Sequence, residues 1–252
     1  MNAKLQTIVQ NIQKGGKNIV FTGAGISTES GISDYRSKGG IWDQYQPVYY
    51  DEFIRSKSAR VEYWKRKSEM YPELIQAKPN KAHIALAELI EDGWIDAIIT
   101  QNIDGLHQAA GVPESKVIEL HGNTMRVCCM SCHQISSIHE AQKRIETGDL
   151  APECDCGGFL KPDTISFGQQ MPEDEMKQSV ELARNSDFFM VIGSTLLVQP
   201  ASLLPGYAKE NGAFLVIINL SDTPYDQQCD VLIDEYAGPT LHALSVELFS
   251  GN

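Results

Sequence analysis

Residues 18–27 read NIVFTGAGIS, an apolar run that stops at a Gly-x-Gly turn. Five residues rich in Ile, Val and Phe suit a buried strand, and the glycines mark where it turns. Two later runs share this character: Phe188–Gly193 (FFMVIG) and Phe214–Asn219 (FLVIIN). Apolar runs without polar alternation mark parallel strands covered on both faces. Ile95–Thr100, Lys116–Leu120 and Val231–Ile233 complete the set of predicted strands. Leu5, Ile8 and Ile12 predict a helix over 3–14 that ends at Gly15-Gly16. Ala82, Ala85, Leu86 and Leu89 share one face of a helix over 81–92, and Glu173–Asn185 reads as another. Strands alternating with helices predict an α/β doubly wound, Rossmann-like parallel sheet. Residues 36–79 are aromatic and charged with no clean period, and read as a helical, lid-like insertion. Ligands of such sheets sit past the carboxyl ends of the strands. Thr22–Ser27, Thr100–Asp104, His121-Gly122, Gly193–Leu196 and Asn219–Ser221 are therefore expected around one crevice.

The 252 residues are 42% hydrophobic and 21% charged, an ordinary globular composition that can bury a core without staples. No run of about 18 apolar residues exists to span a bilayer. The polar start MNAKLQTIVQNIQKGGKN lacks the apolar centre of a secretory signal, so an intracellular, cytoplasmic protein is expected. A net charge of -12 repels phosphate backbones and mildly attracts Lys-rich protein segments. Residues 126–162 hold four Lys or Arg against five acids, which leaves no basic patch for nucleic acid.

Five of the six cysteines lie between 128 and 156. Clustered thiols in an intracellular protein favour metal over disulfides. Cys129-x2-Cys132 is a chelate pair, and Cys154-x-Cys156 supplies a second. Four thiolates close a tetrahedral zinc site with no open position, so the metal is structural. Cys129, Cys132, Cys154 and Cys156 are the preferred ligands, with Cys128 or His133 as substitutes, and Gly157-Gly158 lets the chain turn after the second pair. Cys229 stands apart as a buried or free thiol.

Three further motifs carry chemistry. Gly23-Ala24-Gly25 would let the backbone approach a pyrophosphate whose oxygens the following N–H groups bind, although Thr28 replaces the usual third glycine. Thr100–His107 (TQNIDGLH) places amide and carboxylate side chains at a strand end, suited to an amide or a ribose, or to a plain polar loop capped by Asp104. His121-Gly122 follows another strand, and His is the side chain best suited to proton transfer near neutral pH.

In this order the motifs resemble the sirtuin family, the silent-information-regulator type of NAD-dependent protein deacylase, over roughly residues 18 to 240. Gly23–Ser27 with Ser30-Gly31-Ile32 and Asp34-Tyr35-Arg36 is similar to its first NAD motif, and Thr100–His107 to its second. His121-Gly122, the cysteine pairs, Gly193–Leu196 with Val198 and Pro200-Ala201, and Asn219 follow in register. The resemblance implies NAD as co-substrate and one structural zinc. Gly23, Ala24, Gly25, Thr28, Tyr35 and Arg36 would line the phosphates and nicotinamide ribose. Gln101, Asn102, Ile103 and Asp104 would form the nicotinamide pocket; Gly193, Ser194, Thr195 and Asn219 would hold the adenosine half, with Ala237 by the adenine. The acyl oxygen of a modified lysine would attack the carbon that nicotinamide leaves. His121 would then act as general base on a ribose hydroxyl, with Asn102 as the second catalytic residue. The products are free lysine, nicotinamide and an O-acyl-ADP-ribose. The acyl-lysine peptide would be read as an added strand between Gly168 and Val198. Residues 1–35, 80–125 and 163–252 would then form the NAD-binding domain, 36–79 the helical insertion and 126–162 the zinc module.

The chain departs from the family at Ser33 and Tyr35, where Pro and Phe are usual, and at Gln169, where Glu is frequent. Desuccinylating members carry a Tyr and an Arg three residues apart, the spacing of Tyr63 and Arg66. Counting back from Pro79-Asn80 instead puts Trp64 and Lys67 at the equivalent positions, so acetyl or another neutral acyl group is expected. A protein mono-ADP-ribosyltransferase using the same NAD site is the alternative, and a non-catalytic NAD-sensing module a third reading.

Overall fold

The computed structural model describes residues 2–34 and 46–250. In chain order its strands are β1 (Asn18–Thr22), β2 (Ala97–Thr100), β3 (Val117–Glu119), β4 (Gly122–Cys129), β5 (Ile135–Ser137), β6 (Leu160–Thr164), β7 (Phe188–Ile192), β8 (Phe214–Ile218) and β9 (Val231–Ile233). The helices are α1 (Asn2–Gln13), α2 (Tyr50–Arg55), α3 (Lys57–Gln76), α4 (Lys81–Glu91), α5 (Leu106–Ala109), α6 (Ile138–Glu146), α7 (Glu173–Arg184), α8 (Leu204–Glu210) and α9 (Ala237–Ser250). Six strands form one parallel sheet in the order β3-β2-β1-β7-β8-β9. This is the doubly wound sheet that the apolar runs predict.

Every residue of β1, β2 and β7 is buried, as expected of strands covered on both faces. Side chains alternate between two cores. Val20, Ile98, Met190 and Val216 meet Ile8 and Ile12 of α1, Leu86 and Leu89 of α4, and Leu241 and Leu244 of α9. Ile19, Phe21, Ile99, Val191 and Ile217 meet Ala183 of α7 and Leu204 and Ala208 of α8. The sequence reading found α1, α4 and α7 and missed α8 and α9. The start of α9, Ala237-Gly238-Pro239, reads as a loop because its cap is tertiary: Gly238 N–H donates to Glu29 Oε2 at 2.7 Å.

A second, antiparallel sheet, β5-β4-β6, carries the cysteines. Trp64 of α3 completes its small core with Val127, Cys129, Ile138, Ala141 and Leu160. Arg126 on β4 ties the two sheets together, 2.7 Å from Glu119 Oε2 and 3.0 Å from Asp163 Oδ2. Among the described residues no helix is long and apolar enough to cross a membrane.

The turns after β1 and β7 touch backbone to backbone. A side chain at Gly25 would sit 2.8 Å from Gly193 Cα, and one at Gly193, whose φ is +62°, would collide with Ile26 N. Gly193→Ala should therefore destabilise by about 2 kcal/mol or more. Gly212 has φ +91° but open space around it, so Gly212→Ala carries only the backbone strain, about 1 kcal/mol. Urea melts of both variants read the difference; equal losses would show that the turn–turn contact yields freely.

Candidate active site

The carboxyl ends of β1, β2, β7 and β8 open onto one cleft of about 770 Å³, within the range of about 300–1,000 Å³ usual for small-molecule sites. The turn after β1 brings Gly23, Ala24, Gly25 and Thr28, and β2 brings Gln101, Asn102 and Ile103. Gly193, Ser194 and Thr195 follow β7, Asn219 follows β8, and Ala237 opens α9. His121, Gly168 and Val198 line the same cleft. Asp104 lies behind this wall. It accepts from Ser27 Oγ at 2.7 Å and Leu106 N at 2.9 Å, and burial raises its carboxyl above the usual range. Tyr35 and Arg36 lie outside the described residues.

Gly23 and Gly25 line the cleft and also serve the fold. Gly23 and Gly25 are hemmed by the opposite turn, for a side chain at Gly23 would sit 2.7 Å from Gly193 O. Gly25 N–H donates to Gly193 O at 2.8 Å and Gly23 N–H to Ile192 O at 3.0 Å, so they lock turn to turn. Gln101 Nε2 donates to Ser194 Oγ at 2.8 Å and bridges the ends of β2 and β7 above β1.

His121 is held by Gln101 O, 2.9 Å from Nδ1. A carbonyl only accepts, so Nδ1 carries the proton and the neutral ring keeps its lone pair on Nε2. Burial lowers the ring's pKa, opposed by the bond to Gln101 O. The result is a neutral base at pH 7 of fixed tautomer. Asn102 is equally fixed: Nδ2 donates to Gly23 O at 3.1 Å and Ser27 Oγ at 3.2 Å, and its backbone N–H to Thr100 Oγ1 at 3.0 Å.

One wall of the cleft comes from α3. Tyr63, Arg66, Lys67 and Met70 line it, at the i, i+3, i+4, i+7 spacing of one helix face. Trp64 points the other way, into the zinc-module core, where Nε1 donates to Leu160 O at 3.1 Å. Of the two residues counted from Pro79-Asn80, Lys67 stands on the cleft and Trp64 does not, while Tyr63 and Arg66 line it as well. The helical spacing was the signal that could have found them, and Pro72 inside α3 obscured it. Burial alone would raise the Tyr63 hydroxyl, but Lys67 and Lys161 overrule it and bring it down to about 8. Arg66 pairs with Glu62 at 2.7 Å.

The sulfurs of Cys129, Cys132, Cys154 and Cys156 all lie within 4.8 Å of one another. Zinc–sulfur bonds of about 2.3 Å in a tetrahedron imply sulfurs about 3.8 Å apart. The pairs Cys129–Cys156 at 3.5 Å and Cys132–Cys154 at 3.7 Å match. Cys132 N–H and Ser131 N–H point at Cys129 Sγ, the arrangement that favours a thiolate. Gly158 is required here, since a side chain would sit 2.6 Å from Cys129 Sγ. Cys128 is outside the set, its thiol turned to Cys129 O, and Cys229 is a half-buried free thiol. The short spacing of the second pair therefore does not spoil the site. Elemental analysis should find one zinc per chain. Cys154→Ser should lose it and melt several degrees lower, because zinc binding to such sites is folding free energy. Undiminished metal content in that variant would reject this ligand set.

Comparison with known proteins agrees with this geometry. The model of the Sir2 family matches residues 23–200. An NAD-dependent protein deacetylase of Thermodesulfovibrio yellowstonii is 44% identical over 239 residues, 94% of this chain and 93% of that protein. One of Rhodopseudomonas palustris is 48% identical over 227 residues, 88% of each. Among solved structures, a Sir2 complex with p53 peptide and NAD+ has a TM-score of 0.87 and 36% identity, covering 96% of this chain and 98% of that one. A Sir2 variant with deacetylated p53 peptide and 3'-O-acetyl ADP ribose has a TM-score of 0.89 at 35% identity, with 96% and 98% covered. With the family model matched over most of the chain and relatives above 40% identical along nearly all of it, this chain belongs to the Sir2 family.

Proposed function

We propose that the chain is an NAD-dependent protein-lysine deacylase that releases nicotinamide and an O-acyl-ADP-ribose. The observation that carries this is His121, neutral and of fixed tautomer, on the same cleft as Asn102. The relatives are named NAD-dependent protein deacetylases, and a Sir2 neighbour was solved with the acetylated sugar product.

The cleft suits an extended dinucleotide, because its polar groups run along one rim from Asn102 past Ser194 and Thr195 to Asn219 and Ala237. When bound, NAD supplies an electrophilic ribose carbon and the hydroxyl that finally carries the acyl group. Asn102, braced by Gly23 O and Ser27 Oγ, is positioned to hold the nicotinamide amide. His121 Nε2 takes the proton of the ribose hydroxyl. Ile103 and Phe167 add apolar surface to the cleft. The peptide lies between Gly168 and Val198, read through its backbone, so side-chain selectivity is modest. Gln169 lends no carboxylate to this edge; its Oε1 accepts from Ser166 N at 3.1 Å. A cytoplasmic location fits a metal site built of reduced thiols.

A mass-spectrometric assay of an acetyl-lysine peptide with and without NAD tests this. NAD-dependent deacetylation, lost by at least a hundredfold in His121→Ala, is the expected outcome. ADP-ribose left on protein without acyl loss would favour the transferase. The depressed His121 pKa fixes the sign of the pH dependence. Activity holds at neutral pH and falls only below the ordinary imidazole value of 6.5. An acid limb centred above that value would contradict the environment described for His121.

The cationic α3 wall favours a second reading, in which acyl groups ending in a carboxylate are also accepted. Arg66 and Lys67 supply charge and Tyr63 a donor. Arg66→Ala should then lower kcat/KM for a succinyl-lysine peptide about tenfold relative to its acetyl form, the loss of one charge-assisted hydrogen bond. Equal effects on both substrates would leave acetyl as the acyl group.

A further inference from the structure

Two buried histidines take no part in this chemistry. His83 on α4 and His107 on α5 are 0% and 2% exposed, with ring centroids 5.1 Å apart. Burial pushes them down to about 4 and about 3, so both rings are neutral at pH 7. A neutral imidazole has one N–H and one bare nitrogen, and its neighbours decide which is which. Asn80 N–H points at His83 Nδ1 at 3.4 Å, so that nitrogen is bare and the proton sits on Nε2. The Thr22 hydroxyl gives its proton to Thr100 Oγ1 at 2.8 Å. Thr22 can then only accept from His107 Nε2, 2.9 Å away, which leaves His107 Nδ1 bare. The two remaining ring atoms, His83 Nε2 and His107 Nδ1, have no protein partner among the described residues. One is a donor and the other an acceptor, on adjacent rings. The opposite tautomer of His107 would set two buried donors against each other.

We infer that His83 and His107 are positioning residues whose paired rings complete a chain of hydrogen bonds that runs to Thr100 Oγ1, the acceptor of the Asn102 backbone N–H. His83 Nε2–H reaches His107 Nδ1 across one water, since neither atom has a protein partner among the described residues. His107 Nε2–H donates to Thr22 Oγ1, and Thr22 to Thr100 Oγ1, where Asn102 N–H also ends at 3.0 Å. At its other end the chain returns to the same site, since Asn80 Nδ2 donates to Ile26 O at 2.7 Å, just past the glycine turn. The chain fixes the backbone of Asn102 from beneath while Gly23 O and Ser27 Oγ fix its side chain from the side. The consequence for turnover rests on the deacylase reading; the hydrogen bonds themselves do not.

Long-range proton–nitrogen spectra of the imidazoles at pH 7, assigned with His83→Phe and His107→Leu, read the tautomers directly. Both rings should show the Nε2–H pattern; an Nδ1–H ring at either position overturns the inference. Thr22→Val, close in shape to the native residue, and His107→Leu should both shift the Asn102 backbone amide resonance. Both should also lower kcat at least tenfold with little change in KM for the peptide. His107→Gln keeps an N–H donor toward Thr22 and should restore most of both. If Thr22→Val or a folded His107→Leu keeps the native Asn102 resonance and turnover, the chain does no positioning. A wild-type protein without deacylase activity would sink the functional reading alone, because the tautomers and the Asn102 resonance would still decide this one.

Discussion

Gly25 N–H donates to Gly193 O across 2.8 Å at the place where the strand order reverses. From β1 the chain builds outward through β2 to β3; from β7 it builds the other way through β8 to β9. Connections therefore leave β1 and β7 in opposite directions, and a crevice opens between them. The contact sets how wide it is. No side chain fits between the two turns, so their separation is that of packed backbone. Ala24, Thr28, Ser194 and Thr195 inherit their places on the rim from this contact. The Gln101–Ser194 bridge then ties β2 into the same frame, and Gln101 O in turn holds His121.

The cleft's far wall has a different support. Helix α3 presents Tyr63, Arg66 and Lys67 to the cleft and Trp64 to the zinc module. Ser68 Oγ donates to Gln142 Oε1 at 2.8 Å on the module side, and Tyr71 bonds His139 there too. Cys129, a zinc ligand by geometry, packs in the same small core as Trp64. The metal site is thus one layer of side chains from the α3 wall of the cleft. It holds together the core on which α3 rests, and so the register of the helix face that lines the cleft.

The legible parts of the sequence were those whose meaning is local. FFMVIG and FLVIIN can be little else than covered parallel strands, and four cysteines in two close pairs announce a metal. His121 was legible from its place after a strand. What escaped depends on contacts distant in sequence. The start of α9 is capped by Glu29, 209 positions away. Asp104 looks like a cleft residue because it ends a polar motif, yet its carboxylate is taken up by buried Ser27 and by Leu106 N. Tyr63 and Trp64 are adjacent, and the packing of Trp64 on Leu160 leaves Tyr63 on the cleft. The His83–His107 pair joins two helices whose sequences say nothing of one another.

The support given to His121 is a choice with consequences. A carboxylate on Nδ1 would orient the ring as well as Gln101 O does, but its charge would raise the pKa and hold the ring as imidazolium. A carbonyl orients without adding charge, and burial does the rest by disfavouring the protonated form. The ring is a weaker base than a carboxylate-backed one, and it is unprotonated at neutral pH. It also adds no fixed charge to the cleft. The same logic runs through His83 and His107, which are kept neutral by burial and each bonded through one ring nitrogen to a neutral group. The cationic side chains that line the cleft, Arg66 and Lys67, stand on the α3 wall.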